Sequence, residues 1–361
     1  MGAKEAIRSM IGLGLLGVMV SGTAMPASAT SGADEAVSSI EAASASIEGI
    51  SGVAPLVGAV GGIDGGGEVA VPVSNGEVVI DTSDGVVTLD QADAEVTVGI
   101  ADSTSEPSSS SDGYAVFATG DDASTVVLPQ RDGGAQLIDV IDGATAPTSF
   151  EYQLTVPEGA SVEIEPVAGG VIVSDAAGAF VAGVAPPWAV DAVGSELATH
   201  FELAGSTLTQ VVAHVGPETV YPVAADPSLG TSLFSSVRTN FPQDTVVSLR
   251  LSSWGVAVWA RGGRTTPPVP LAVPQGILRG QVIINQYGWP EMLSRIFWRI
   301  RPVFDTTSVR QQFECHALGW IADYRGWEWN LERTRVAMNR HWANNVVDHR
   351  CDWNRADGGL R

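Results

Sequence analysis

From residue 68 onward the chain is a succession of short runs rich in Val, Ile and Thr, separated by Gly, Asp, Asn and Ser. Short strands at such intervals are typical of an all-β sandwich or barrel. The pair Asn75-Gly76 favours a hairpin between the first two runs. The pattern continues to Val223, so the sequence predicts a mainly β fold, with an acidic β-sandwich-like domain over residues 68–227. The first four predicted strands are Glu68–Val73, Glu77–Asp81, Gly85–Leu89 and Glu95–Ile100.

Charge is divided unevenly along the chain, which carries −22 overall. Residues 30–230 contain 30 Asp and Glu but a single cation, Arg131, whereas residues 231–361 contain 16 Arg and 10 Asp or Glu. Such a shift in composition favours two domains, here 68–227 and 228–361. The Pro/Gly/Ser stretch at Asp226–Gly230 predicts a protease-sensitive junction between them. The acidic domain is expected to repel nucleic acid and anionic membranes.

The N-terminus has the order of a secretory signal peptide. A short basic head precedes the apolar run Ile11–Val20, and small residues then end in Ala27-Ser28-Ala29. This order predicts cleavage after Ala29, a mature chain that begins at Thr30, and a secreted, extracellular protein. An uncleaved anchor or a buried N-terminal helix is the alternative, but the run is short for a transmembrane helix.

Residues 30–67, at the start of the expected mature chain, are predicted to form a short helix followed by a linker. Residues 36–50 are rich in Ala, Ser, Ile and Glu, which predicts a short helix. Residues 51–67 are dense in glycine and small apolar residues, which indicates a linker. No later stretch is apolar for long enough to predict a transmembrane segment.

Residues 184–227 resemble a block that stands directly before variable C-terminal domains in many secreted actinobacterial proteins. The resemblance rests on a run from Val184 to Asp191, on Thr199–Leu203, on Leu208–His214 and on Tyr221–Pro227. It implies a module that presents the domain after it, and it implies no chemistry.

The C-terminal third holds nine of the ten tryptophans and is predicted to form a small, disulfide-linked α+β domain. Val246–Ala260 is interpreted as one or two strands, and Gly280–Asn285 as another. A helix is predicted to begin at Trp289-Pro290-Glu291, because Pro and Glu suit a first helical turn. Pro302 is expected to end it. The apolar stripe of this helix is predicted to be Leu293, Ile296, Phe297 and Ile300.

Three runs in this region resemble a domain-of-unknown-function family of secreted actinobacterial proteins. They are Trp289-Pro290-Glu291, Gln312-Phe313-Glu314-Cys315-His316 and Trp329-Asn330-Leu331-Glu332, followed by a late cysteine, Cys351. The resemblance covers about residues 245–355. Departures are Asp352-Trp353-Asn354 after that cysteine and Arg333-Thr334-Arg335 after Glu332. The family has no assigned activity, so the resemblance implies a related fold and no mechanism.

Cys315 and Cys351 are the only cysteines, and in an exported protein such a pair predicts one disulfide. Its reduction is expected to destabilise the C-terminal domain alone. The competing hypothesis is a metal site built from these cysteines with His316, His341 and His349, although zinc favours closely paired ligands. The sequence as a whole predicts no bound metal and no cofactor.

Two further groups of polar residues are candidates for function. His341, Asn345 and His349 would share one face of a helix. Histidines with an asparagine resemble the sites of metal-dependent nucleases, although those are spread over a hairpin and a helix at wider spacing; the alternative is a solvated face. Glu328 and Glu332 with Asp323 could supply paired carboxylates for glycoside hydrolysis, beside Trp327 and Trp329. The alternative is a core tryptophan pair with Glu332 bonded to an arginine. Asn330 is a further candidate.

These observations predict a secreted, non-enzymatic protein that binds an unknown partner at the cell surface or in the medium. The alternative is a secreted effector, in which the β region carries a toxic or hydrolytic C-terminal domain. The catalytic residues of such a domain are not identified by any motif: G-x-S-x-G, H-E-x-x-H and a Walker-type loop are absent from the sequence.

Overall fold

A computed structural model of the full chain describes residues 32–41, 67–74, 76–91, 94–101, 107–110, 113–260, 279–319, 328–339, 341–342, 349 and 351–353. The fold is mainly β and its sheets are antiparallel, as the sequence predicts. The strands are β1 Glu68–Val73, β2 Gly76–Asp81, β3 Val86–Gln91, β4 Ala94–Ile100, β5 Ser108–Ser109, β6 Ala115–Gly120, β7 Ala123–Pro129, β8 Ala135–Ile141, β9 Ser149–Thr155, β10 Ser161–Ile164, β11 Val171–Ser174, β12 Phe180–Val184, β13 Trp188–Val190, β14 Thr199–Ala204, β15 Thr207–Val212, β16 Val223–Asp226, β17 Ser228–Gly230, β18 Phe234–Thr239, β19 Val246–Leu251 and β20 Trp329–Glu332.

The helices lie at the two ends of the described chain. They are α1 over residues 32–41, α2 Ser253–Ala260, α3 Arg279–Ile283, a π-helix Ile284–Gly288, α4 Trp289–Arg295, α5 Arg301–Phe304 and α6 Thr307–Gly319. Among the described residues, no helix is long and apolar enough to cross a membrane.

Two large sheets pack face to face. The first has the strand order β1-β2-β3-β4-β9-β15-β14, and the second has the order β10-β11-β12-β17-β8-β7-β6-β5, with β16 and β13 attached beside β8. Alternate side chains of both sheets meet in one apolar core that includes Val78, Leu89, Phe117, Leu137 and Tyr152. This arrangement is the expected sandwich, in which each strand contributes every second residue to the core.

The outer face of the second sheet is also covered, which explains why every residue of β8 is buried. Helix α1 lies over part of this face, with Val37 and Ile40 packed against Ile138, Val140 and Trp188. The helix is already formed at residue 32, the first described residue, four residues before the predicted start, because Ala33 and Ala36 extend its apolar stripe at helical spacing. The remainder of the predicted helix and the glycine-rich linker up to residue 66 lie outside the described residues.

The C-terminal elements cover another part of the same outer face. A second apolar core unites Ala168, Ile172 and Ala185 from the β region with residues of α2, α3, α4, α6 and the three-stranded sheet β18-β19-β20. The predicted junction at Asp226–Gly230 lies in and between β16 and β17, where residues 223–230 are all buried. Strand β17 pairs with both β8 and β12. The stretch predicted as a junction therefore forms two strands of the sandwich.

Trp254 packs the C-terminal elements against the β region, and it lies in a helix where the sequence predicts a strand. The predicted strands over Val246–Ala260 are β19 followed by helix α2. Ser252 ends the strand and caps the helix, because its Oγ accepts a hydrogen bond from the Gly255 amide at 2.8 Å. Trp254 is 1% exposed and stacks on Phe180 of β12, with ring centroids 5.3 Å apart.

The predicted strand at Gly280–Asn285 is also helical, and it forms α3 and the first part of the π-helix. Glycine at position 280 allows α3 to lie very close to α2: a Cβ there would lie 1.7 Å from the carbonyl oxygen of Val258. Ile283 and Ile284 are fully buried in the second core. A short apolar run fits a buried strand and a buried helix equally well, and here the contact with α2 decides in favour of the helix.

The helix predicted to run from Trp289 to Pro302 ends at Arg295, because the next residue, Ile296, has an extended backbone. Pro302 does not end this helix but stands in the first turn of α5, a position that proline suits. Leu293 and Ile296 keep their predicted places against the core, but Phe297 is 58% exposed. The predicted apolar stripe is therefore wrong at Phe297.

Candidate functional site

The disulfide predicted from the sequence is present and joins α6 to the end of the described chain. Cys315 and Cys351 have an S–S distance of 2.08 Å and a Cα–Cα distance of 5.5 Å. Both cysteines are buried in a small cluster with Met338, Trp342 and Trp353. The crosslink therefore holds the last described residues against a helix that belongs to the second core.

The residues of the Gln312–His316 run pack directly on the Trp329–Glu332 run. The His316 ring stacks on Trp329, with centroids 5.5 Å apart and an interplanar angle of 13°. Phe313 meets the same indole edge-on at 5.9 Å. His316 is 8% exposed, so this candidate residue faces the core. The two runs that carry the family resemblance thus form one structural contact.

Gln312 is a residue whose role the sequence analysis misses. Its side chain is fully buried and holds the backbone of β20 from helix α6. Gln312 Nε2 donates to the Glu332 carbonyl oxygen at 2.9 Å, and Gln312 Oε1 accepts from the Glu332 amide at 2.8 Å. Its place as the first residue of the run that resembles the family is the signal that could have identified it.

Glu291 holds the backbone at the start of β18 through hydrogen bonds, as Gln312 does for β20. Its carboxylate accepts hydrogen bonds from the Leu233 amide at 2.8 Å, the Phe234 amide at 3.2 Å and the Ser232 hydroxyl at 2.6 Å. Arg295, one helical turn later, lies 3.1 Å from the same carboxylate. A half-buried carboxylate with this many donors is fully satisfied. The Trp289–Glu291 run therefore fixes the first strand of the three-stranded sheet.

The two C-terminal histidine candidates differ in their surroundings. His349 is 4% exposed, its Nε2 donates to the Trp342 carbonyl oxygen at 2.8 Å, and its Nδ1 accepts from the Cys351 amide at 3.0 Å. Both ring nitrogens are thus used to shape the chain around the disulfide. His341 is exposed and lies beside the Trp342 ring at 5.1 Å. The third member of the proposed set, Asn345, lies outside the described residues.

The carboxylate candidates are placed along the edge strand β20. Glu328 forms an ion pair with Arg238 on β18, and Glu332 lies 2.7 Å from Arg335. Asn330, between them, accepts a hydrogen bond from Ser248 at 2.6 Å. Two residues four positions apart in a strand are separated by about 13 Å, which exceeds the ~9.5 Å limit for a glycosidase pair. Glu328 and Glu332 are therefore not paired with each other, and Asp323 and Trp327 lie outside the described residues.

The competing hypothesis of a five-residue metal site would require free thiolates, but both of its cysteines form the disulfide. Within the described ranges, no group of three or more His, Cys, Asp and Glu side chains is arranged to hold a metal ion. The gap between the two sheets near Leu89 and Val173 is lined by apolar side chains. It has room for roughly one water molecule.

One carboxyl group lies inside the sandwich and was not identified from the sequence. Asp139 of β8 is 0% exposed and accepts hydrogen bonds from Thr125 at 2.6 Å and from Tyr152 of the facing sheet. Desolvation, with a smaller contribution from the charge of Asp226, raises the pKa of Asp139 to about 7 against the lowering effect of these two donors. Asp139 joins the two sheets and has no opening to solvent.

Two neighbouring aromatic side chains are exposed in the turn between α4 and α5, Phe297–Arg299. Phe297 is 58% and Trp298 is 65% exposed, and their ring centroids lie 5.9 Å apart. The guanidinium carbon of Arg299 lies 5.0 Å from the centre of the Trp298 ring. These three consecutive side chains project from the fold, and none of them was a candidate in the sequence.

Comparison with known proteins identifies no relative: no protein-family model, no curated protein and no solved structure matches the chain. The two sequence resemblances therefore stay predictions.

Proposed function

We propose that the protein is exported and acts as a binding module, whose C-terminal part contacts a partner at the cell surface or in the medium. The observation that carries this proposal is the Phe297–Arg299 turn. Large exposed aromatic side chains cost solvation free energy in a free monomer, and they mark interaction surfaces when they occur together. Trp and Arg are also the residue types that contribute most often to binding energy.

The bonding of the polar candidates supports a binding role over a catalytic one. His349 has both ring nitrogens bound to backbone groups, while Glu328 and Glu332 each pair with an arginine. His316 packs on Trp329. A general base or nucleophile must reach substrate, whereas these contacts hold the described C-terminal elements together.

Export is supported by the basic, apolar and small-residue order of residues 1–29 and by the resemblance of residues 245–355 to secreted proteins. The Cys315–Cys351 disulfide agrees with an oxidising compartment. In this proposal, the acidic β region is the soluble body that carries the C-terminal binding part.

The test is co-sedimentation of the purified mature protein, residues 30–361, with isolated cell envelopes of the producing organism. The wild-type protein should sediment with the envelopes, and the double variant Phe297→Ser/Trp298→Ser should remain largely in the supernatant. The Phe241→Ser variant is the matched control, since Phe241 is 78% exposed in a different turn. Wild-type protein that stays in the supernatant would contradict a partner at the cell surface. Killing of cells or hydrolysis of the envelope by the wild-type protein would contradict a binding role.

A further inference from the structure

The Phe297–Arg299 turn is held firmly in place. Ile296 before it is 3% exposed, and Phe304 after it is fully buried in the second core. Within the turn, the Phe297 carbonyl oxygen accepts from the amides of Ile300 at 2.9 Å and Arg301 at 3.1 Å. The exposed aromatic rings are therefore presented on a preorganised turn, which reduces the entropy lost on binding.

The charge around this turn is opposite to the charge of the whole chain. Residues 291–305 contain three arginines, Arg295, Arg299 and Arg301, against two acidic residues, Glu291 and Asp305. Arg295 is paired with Glu291, and Arg301 donates to the Ser294 carbonyl oxygen at 3.3 Å. Arg299 is exposed beside the Trp298 ring. The projecting surface thus combines two aromatic side chains with local positive charge.

We infer that this turn docks the protein on an anionic phospholipid surface. Tryptophan is favoured at the membrane–water interface because its ring is apolar and its N–H is polar. Arginine beside it gains about 1 kcal/mol from an anionic surface. A projecting turn with its apolar side chains outermost fits the headgroup region of a bilayer. The inference rests on the proposed binding function and specifies the chemistry of the partner.

The acidic β region constrains how this docking occurs. Its negative charge is repelled by the same surface, so the bound orientation must direct the β region away from the membrane. At about 0.1 M salt the Debye length is about 10 Å, which screens the more distant carboxylates while the turn makes direct contact. Binding is therefore expected to persist at this ionic strength.

The experiment is vesicle co-sedimentation of the mature protein at about 0.1 M salt. One set of vesicles is pure phosphatidylcholine, and the other contains about 30 mol % phosphatidylglycerol, an anionic lipid. The wild-type protein should bind the anionic vesicles more tightly than the neutral ones. Trp298→Ser should weaken anionic binding about ten-fold or more, and Trp298→Phe should recover most of it. Arg299→Gln should weaken binding to anionic vesicles about five-fold and leave neutral vesicles unaffected.

Phe241→Ser is again the control and should bind like the wild type, and all variants should melt at the wild-type temperature. The inference is overturned if the wild-type protein binds neither kind of vesicle, binds both equally, or binds as well after Trp298→Ser. Binding to cell envelopes without binding to vesicles, abolished when the envelopes are treated with protease, would indicate a protein partner. That result would leave the proposed binding function standing and refute the lipid.

Discussion

At the scale of single residues, two glycines and a tryptophan decide how the C-terminal part lies on the sandwich. The Trp254 ring occupies the space above Gly183 of β12 and Gly230 of β17. A Cβ at Gly230 would lie 2.5 Å from two atoms of Trp254, and a Cβ at Gly183 would lie 2.7 Å from the same side chain. The close approach of the indole to the sheet therefore depends on the absence of side chains there.

We expect Gly230→Ala to destabilise the protein by about 1–3 kcal/mol, because the added methyl group forces Trp254 out of its position. The free energy of unfolding from urea titration measures the effect. Gly216→Ala is the matched control: its new Cβ would meet only the Thr219 hydroxyl, at 3.6 Å, and a change within about 0.5 kcal/mol is expected. Equal effects of the two substitutions would contradict this account of Trp254.

Asp139 gives a prediction for pH at the same scale. Because burial raises the pKa of Asp139 from 3.8 to about 7, the folded state binds more protons than the unfolded state between these values. The contribution of Asp139 to stability is therefore fully present below pH 3.8 and is lost as the pH rises through about 7.

Relative to Asp139→Asn, the wild-type protein should lose roughly 1 kcal/mol or more of stability between pH 5 and pH 7.5. Urea titrations of both proteins across this range measure the difference. Asp90, an exposed residue of β3, provides the control Asp90→Asn, which should show no comparable trend. A constant difference between wild type and Asp139→Asn across the range would refute the raised pKa.

At the scale of elements, helix α1 shows most clearly that one element depends on its contact with another for stability. A single short helix covers apolar residues on the outer face of β7 and β8, and Ile40 is its fully buried contact. The helix has no comparable apolar partner within its own ten residues, so its stability comes from this docking.

We predict that Ile40→Ala lowers the free energy of unfolding by about 2 kcal/mol or more, because it leaves a cavity against the sheet. Ser38→Ala, on the exposed side of the same helix, should have an effect within about 0.5 kcal/mol. Urea titration measures both. If Ile40→Ala were as mild as Ser38→Ala, α1 would contribute little to the fold in solution.

At the scale of the whole molecule, the charge distribution and the core packing lead to different expectations about domain organisation. The swing from an acidic to a basic composition predicts two separate units, whereas Ala168, Ile172 and Ala185 of the β region share an apolar core with the C-terminal helices. Opposite charge and a common core both favour association of the two parts.

We therefore expect a protein of residues 30–361 to unfold in one calorimetric transition, and limited proteolysis to spare residues 223–230 until that transition. Cys315→Ser should lower the midpoint of the whole transition, since a disulfide closing 36 residues contributes on the order of 3–4 kcal/mol. This expectation revises the prediction that reduction affects the C-terminal part alone. Two resolved transitions, with only one moved by Cys315→Ser, would restore the original prediction.

Features that depend on local pattern or on residue counts follow from the amino-acid sequence alone. Alternating short runs specify strands because side chains in a strand point to opposite faces in turn, and a lone pair of cysteines has one possible partner each. The acidic and basic halves are also a matter of composition. These features include the mainly β class, the sandwich and the Cys315–Cys351 crosslink.

Features that depend on partners distant in the chain arise only when the chain folds. Trp254 lies on a helix and not a strand because Ser252 caps that helix and the bare surface of Gly183 and Gly230 receives the indole. Gln312 and Glu291 hold strands that lie 20 or more residues away in the chain, which no local pattern reveals. Phe297 is exposed instead of belonging to the predicted apolar stripe, because α4 ends at Arg295 and the chain turns before α5 begins at Arg301. A short apolar run fixes neither its secondary structure nor its exposure, since both follow from what packs against it.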